Sequence, residues 1–211
     1  MSSTQTAPFT TLETTVRACA RCVESGHLPE AHPVIWWPSQ GMNMVIGQAP
    51  AQRAHLATRP WSGPSGTLMR SWFAKAGFDP ERFYEDWYFT SLTKCFPGKA
   101  TSGSGDRAPS AAERALCRPH LETELQLVRP PLIVTLGRQA AEAIIPGARS
   151  LTLRELVGTI WRVDIGHGEV PVVPLPHPSG VARWLNAAEH RALVDRAMAE
   201  LTLIRSGADS S

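Results

Sequence analysis

Several features that would settle the class of this chain at once are missing from it. No uninterrupted apolar run approaches the ~20 residues a membrane-spanning helix requires. The opening stretch, Met1 to Thr11, has no basic segment followed by an apolar one, so no secretory signal is expected. Charge of one sign is also missing. Against 21 Lys and Arg stand 19 Asp and Glu, a formal +2, short of the basic excess by which composition alone marks a nucleic-acid binder. No P-loop, dinucleotide fingerprint, HExxH zinc motif or nucleophile elbow occurs. The Gly-rich stretch around Gly103 and Gly105 lacks the Lys-Ser/Thr ending that cradles phosphate. Cysteine is scarce, with four residues. The expected location is cytoplasmic, where thiols more often bind metal or stay reduced than pair.

What is present points to one large domain with a substantial core. The 211 residues are 43% hydrophobic and include 16 Gly and 18 Pro, which excludes a coiled coil, a collagen-like fibre or a disordered chain and predicts short elements joined by many turns. Residues 1–11 read as a flexible tail, 12–205 as the domain and 206–211 as a second flexible tail. Met42–Ile46, Asp86–Leu92, Leu132–Leu136 and Val170–Leu175 are the main strand candidates. Apolar-throughout Leu132–Leu136 suits a parallel strand covered on both faces. Pro171 and Pro174 suit a sheet edge or its end better than its middle. Amphipathic spacing predicts helices over Ala111–Val128, after a Ser110 cap, and over Leu185–Ile204. Trp161–Ile165 with Gly166–Gly168 reads as a small hairpin. Strands alternate with helices, so the expected fold is a single three-layer αβα domain around a four-stranded parallel sheet.

In such a sheet, ligands collect beyond the carboxyl ends of the strands. Gly47–Pro50, Ser91–Cys95, Gly137 and His177–Ser179 each follow a strand candidate, and the first and last are the best pocket candidates. The cysteines form a second group. Cys19 and Cys22 share a C-x2-C turn, while Cys95 and Cys117 lie further on. Four thiolates suit a structural Zn²⁺ or a [4Fe–4S] cluster, and unrelated buried cysteines are the alternative.

Six stretches in order carry a family resemblance: GQAPA (Gly47–Ala51), RPWSGPSG (Arg59–Gly66), YFTSLTKC (Tyr88–Cys95), CRPHL (Cys117–Leu121), LIVTLG (Leu132–Gly137) and PLPHPSG (Pro174–Gly180). The chain resembles the uracil-DNA glycosylase superfamily, nearest its iron–sulfur branches, families 4 and 5. The resemblance implies a monofunctional glycosylase that hydrolyses the N-glycosidic bond of uracil, with hypoxanthine or xanthine as further candidates, and leaves an abasic site. It implies damaged DNA, double- or single-stranded, as partner, no membrane, no obligate protein partner and a monomer. It also implies a [4Fe–4S] cluster on Cys19, Cys22, Cys95 and Cys117. With that cluster at net −2, the overall charge comes to about zero, leaving DNA attraction to local patches.

Residue by residue, Gly47 opens the water-activating loop, Gln48 stands in it, and the backbone of Ala49, Pro50 and Ala51 lines the base pocket. Trp61 stands where the family usually has a base-stacking phenylalanine. His177 corresponds to the histidine beside uracil O2, where a donor stabilises the departing base. Ser179, Gly180, Val181, Arg183, Trp184 and Leu185 match the segment that meets DNA. Arg53, Arg59, Lys94 and Arg138 are further candidates for phosphate contact. Two positions depart from family 4: Gln48 replaces a glutamate, and Ser91 replaces an asparagine that reads the base edge. Glutamine orients water without taking its proton. Both departures favour, as the competing reading, a catalytically weak DNA-damage-binding protein of the same fold. The loop between Cys95 and Cys117 holds Lys99, Arg107 and Arg114 but no histidine, so it lacks the feature of the branch that binds uracil-DNA irreversibly.

Overall fold

A computed structural model describes residues 6–36, 43–102, 105–179 and 183–208. Along the chain run α1 (Thr6–Arg17), α2 (Arg21–Glu24), β1 (Asn43–Gly47), α3 (Gln52–Ala57), α4 (Pro64–Lys75), α5 (Phe83–Asp86), β2 (Trp87–Ser91), α6 (Ala111–Val128), β3 (Ile133–Leu136), α7 (Arg138–Ile144), α8 (Leu153–Leu156), β4 (Trp161–Asp164), β5 (Glu169–Leu175) and α9 (Ala188–Ala208), with a 3₁₀ turn at Arg183–Asn186. No helix among the described residues is long and apolar enough to cross a membrane.

The strands form one five-stranded sheet in the order β2-β1-β3-β5-β4. This corrects the expected four-stranded parallel sheet. The β2, β1, β3 and β5 pairings are parallel, but β4 joins β5 antiparallel, with Val163 opposite Val170. The segment expected to make a hairpin on its own supplies that fifth strand. Asp164 turns the chain by accepting the Gly166 and Gly168 amides at 2.9 and 3.3 Å. β5 is therefore not an edge. Its prolines each remove one donor, yet the ladder continues on both sides through Val170, Val172 and Val173.

Alternation along the strands divides the core in two. Val45, Phe89, Val134, Val173 and Leu175 face a cluster that includes Met69, Trp72 and Phe73 of α4 and Ala197, Met198 and Leu201 of α9. Met44, Ile46, Tyr88, Ile133 and Val172 face the other side, with Leu121 and Val128 of α6 and Ala140 and Ala141 of α7. Covering on both faces explains why the inner strands read as unbroken apolar runs. α6 starts at a capping box, in which the Ser110 hydroxyl accepts the Glu113 amide and the Glu113 carboxylate accepts the Ser110 amide. Two boundaries differ from expectation. α1 begins at Thr6, inside the presumed tail, and buries Leu12 and Val16, while α9 continues to Ala208.

A buried ion pair joins β2 to α6. The Lys94 ammonium donates to Glu124 Oε2 (2.8 Å), Thr90 Oγ1 (2.5 Å) and the Ser91 carbonyl (2.8 Å), and Thr90 donates to the same carboxylate at 2.6 Å. Lys94 and Glu124 are 3% and 0% exposed. Burial and this carboxylate hold the neighbouring Tyr88 hydroxyl well above its ordinary pKa. Removing one partner of such a pair leaves an uncompensated buried charge, so Lys94→Met should cost about 3–5 kcal/mol in urea unfolding. Lys94→Met with Glu124→Leu should regain most of that loss. Equal stability of the single variant and the parent would contradict this account.

Candidate functional site

The parallel register sets Gly47 beside Ser91 and Leu136 beside Leu175. The loops that follow these four residues therefore open on one edge of the sheet. There lies a cleft of about 310 Å³, lined among others by Gly47, Ala49, Pro50, Ala51, Trp61, Ser91 and His177. All of these were expected site residues, and the fold brings them together. The volume falls at the lower end of small-ligand pockets.

Close approaches at glycine assemble this cleft. The Trp61 indole lies against Gly47, where an added Cβ would stand 3.2 Å from Cζ2. Trp61 itself has a left-handed backbone (φ 56°), an uncommon conformation for a bulky residue. Its carbonyl occupies the space a side chain would need at Gly66. The preceding residue is fixed from outside: the Tyr84 hydroxyl donates to the Pro60 carbonyl at 2.8 Å, and Arg70 donates to that hydroxyl at 3.2 Å. The Trp61 and His177 rings are 6.1 Å apart at 45°.

Gln48, the residue after β1, is not among the described residues lining the cleft and packs against Gly137 instead. Its amide nitrogen fills the position of a Cβ on Gly137, and His177 Cβ stands 3.5 Å from that same position. Gly137 holds φ 84° as the chain turns from β3 into α7, a conformation glycine adopts without strain. Gln48, Gly137 and His177 thus meet at the carboxyl edge. Burial depresses the His177 pKa below 6.5, leaving the imidazole neutral at pH 7. Ser91 points elsewhere: its hydroxyl donates to the Thr93 carbonyl at 2.7 Å. The hydroxyl proton is thereby committed to the backbone, and its oxygen retains only acceptor capacity.

The expected DNA segment is only partly described. Gly180 and Val181 lie outside the described residues. Ser179 is half-buried, and Arg183 is exposed on the 3₁₀ turn. Trp184 stacks face to face on His190, with centroids 4.1 Å apart at 7°. His190 Nδ1 lies 2.8 Å from the Trp184 carbonyl. Leu185 packs on the core and its carbonyl accepts from Arg191. Both side chains are thus held on the protein. Several basic candidates are also committed. Arg59 stacks over Tyr84 and Trp36, Lys94 is buried in its ion pair, and Arg138 binds Glu142 and the Arg149 carbonyl. Arg53 remains at the cleft wall.

The four cysteines face one cavity with Val16, Leu28, Pro33 and Leu116. They come from the turn between α1 and α2, from α2, from the segment after β2 and from α6. Burial pushes the Cys22 thiol to about 11 and the Cys95 thiol to about 12, and neighbouring cysteines add to both shifts. Cys117 is raised by burial too, against the pull of Lys94. Backbone donors already reach two sulfurs: the Lys94 amide lies 3.3 Å from Cys117 Sγ, and the His32 amide bonds Cys95. Among the described residues, no group of three or more His, Cys, Asp or Glu is drawn in closely enough to grip a single metal ion. Four convergent thiols with backbone donors fit the all-thiolate set of an iron–sulfur cluster, which takes one cysteine at each iron.

Gly66, Tyr84, Lys99 and Asp106 are not among the residues that the sequence singles out for the cleft. Gly66 is legible as part of a motif, as Gly137 is as a rim loop. Nothing local marks the other three: only the folded chain carries Lys99 and Asp106 to the wall and Tyr84 to the Pro60 carbonyl.

A sequence profile described as "Uracil DNA glycosylase superfamily" matches residues 38–202. The chain is 30% identical over 140 residues to a "Type-4 uracil-DNA glycosylase" of Archaeoglobus fulgidus, covering 65% of each chain. It is 27% identical over 142 residues to a protein of the same name from Pyrobaculum aerophilum, covering 66% of this chain and 67% of that one. For the Thermotoga maritima protein of that name the figures are 25% over 169 residues and 80% of each chain. The chain thus spans about two thirds of the length of the first two relatives. With the cleft residues and two of the four cysteines inside the matched region, the chain belongs to the uracil DNA glycosylase superfamily.

Proposed function

We propose that this protein is a monofunctional DNA glycosylase that flips uracil out of DNA and hydrolyses its N-glycosidic bond, leaving an abasic site, with hypoxanthine and xanthine as secondary bases. The observation that carries this reading is the meeting of Trp61 and His177 at one base-sized cleft on the carboxyl edge of the parallel strands, with Gln48 packed against Gly137 on the same edge. A cleft of that size suits a single extruded base better than a duplex. The Trp61 indole offers a face for stacking. His177, neutral through burial, donates to the base oxygen on which negative charge grows as the bond breaks. A cationic imidazole there would be costly to desolvate.

Gln48 cannot accept a proton at neutral pH, so the bond breaks ahead of water attack. The amide then orients water toward the sugar cation. Among the described residues, the Lys94 ammonium is consumed in its buried pair and the Lys99 ammonium at the cleft is paired with Asp106, which favours hydrolysis over a lyase step. Cys19, Cys22, Cys95 and Cys117 would hold a [4Fe–4S] cluster. When bound, that cluster supplies a rigid crosslink between α1, α2, α6 and the segment after β2.

Abasic-site formation, read as alkali-dependent strand cleavage on uracil, hypoxanthine and xanthine duplexes, tests the activity. Product is expected with uracil first. Tight binding without product on every duplex would overturn the reading in favour of a damage-binding protein, the alternative that Gln48 and the committed Ser91 hydroxyl favour.

Three substitutions rank the side chains. In single-turnover kinetics His177→Ala should slow the chemical step by ~10²-fold or more, and Gln48→Ala should cost less. Ser91→Asn should sharpen preference for uracil where the longer amide is accommodated. Because burial moves His177 below 6.5, the parent rate should stay level from that pH upward. A rate that titrates near 6.5 and loses the transition in His177→Ala would contradict a neutral donor.

Purified without oxygen, the protein should be brown and carry about four irons and four sulfides per chain. Colourless protein with one zinc would overturn the cluster assignment.

A further inference from the structure

Between Cys95 and Cys117 the chain folds back on itself beside the cleft. Lys99 and Asp106 pair as an isolated antiparallel bridge. The Ala100 amide donates to the Gly105 carbonyl and the Arg107 amide to the Gly98 carbonyl, both at 3.0 Å. Both bridge residues line the cleft, and Asp106 is the one carboxylate among its described lining residues. Its two oxygens have different partners. Oδ1 accepts the Lys99 ammonium at 2.8 Å, and Oδ2 accepts the backbone amide of Gln52 at 3.0 Å. Gln52 is the first residue of α3 and directly follows Ala51, so this bond seizes the end of the loop that carries Gln48. The same arm is anchored on a second element too. Arg107 grips Glu113 of α6 through two bonds of 2.7 and 2.6 Å, and that pairing holds the Glu113 carboxyl down at about 2.

We infer that Asp106 is a positioning residue for the reaction: by holding the Gln52 amide, it fixes the Gln48–Ala51 loop against a wall that Arg107 braces on α6. The inference rests on the reading of the cleft as the place where the base is hydrolysed. Ala51 and Gln52 are exposed, and α3 is six residues long without a side-chain cap from its own N-cap residue. Such a helix has little hold of its own on its first turn. A carboxylate brought from more than fifty residues away supplies the missing acceptor and complements the positive end of the helix. Freed from it, the loop would leave Gln48 and the pocket amides misplaced relative to His177. Displacements of about 1 Å can cost a chemical step ~10²-fold.

Asp106→Ala and Asp106→Asn separate positioning from other roles. Asparagine keeps an oxygen that accepts the Gln52 amide but removes the charge. Asp106→Ala should lower the single-turnover rate on uracil duplex by ~10–100-fold, with KM near that of the parent. Amide exchange in the Ala49–His55 segment should speed up in the same variant. Asp106→Asn should restore both the rate and the exchange protection toward the parent, and the melting temperature is followed in parallel. The proposal is overturned if Asp106→Asn is as slow as Asp106→Ala, which would mean that the charge itself acts on the reaction. It is equally overturned if exchange in Asp106→Ala matches the parent. A parent that excises no base would sink the reading of the cleft instead. The tether would then stand or fall on the exchange measurement alone.

Discussion

The buried ammonium of Lys94 is the joint on which the architecture turns. A charge so far from water is tolerated only when every donor finds an acceptor, and its three partners come from two elements: Thr90 and Ser91 on β2, and Glu124 on α6. The same residue's backbone amide reaches Cys117, two turns before the helix position facing the Lys94 ammonium. One side chain therefore locks the floor of the cleft, at Ser91, to the helix that carries a cysteine of the second site. The next residue, Cys95, is itself one of the four thiols. Base cleft and cysteine cavity are the two sides of a single short segment, Ser91 to Cys95.

That economy explains the placement of the loop from Cys95 to Cys117. It leaves the cysteine cavity, passes the mouth of the cleft, and returns to the cavity on α6. Asp106 holds one neighbour, α3, while Arg107 holds the other, α6. Because these residues are adjacent and point to different elements, the loop works as a brace between them. Composition gives no hint of this. The stretch from Gly98 to Pro109 reads as polar and mobile, since it has almost nothing to bury. Its described residues are held by charge pairs and backbone bonds, which leave no hydrophobic period to read.

Elsewhere the sequence was informative where burial was periodic or a motif local. The run Leu132–Leu136 announced a strand covered on both faces, and Ser110 announced the start of α6 to the residue. The count of strands went astray for a physical reason. Prolines at 171 and 174 suggested an edge, whereas β5 keeps a ladder on each side and β4 takes the edge position. The short Trp161–Asp164 segment has an exposed face, so its apolar content alone could not assign it to the main sheet. Trp184 followed a similar course. Motif position offered it as a DNA contact, and its stacking on His190 commits one face of the indole to the protein.

The cleft also shows why its members could be named from motifs while their dependence on one another could not. Three glycines stand where another residue must come close: Gly47 under the Trp61 ring, Gly66 at the Trp61 carbonyl, and Gly137 under the Gln48 amide. Cleft width is therefore set as much by missing side chains as by the ones present. An indole in place of a smaller ring fits here because Gly47 offers no Cβ, and it remains there because Tyr84 and Gly66 hold its strained backbone. Gln48 in turn sits where Gly137 leaves room for it. Any enlargement at one of these glycines would move a residue of the site before it touched a ligand. The chemistry attributed to Gln48 and His177 thus depends on close-packed backbone geometry, and weak bases and neutral donors can serve only where their positions are held this tightly.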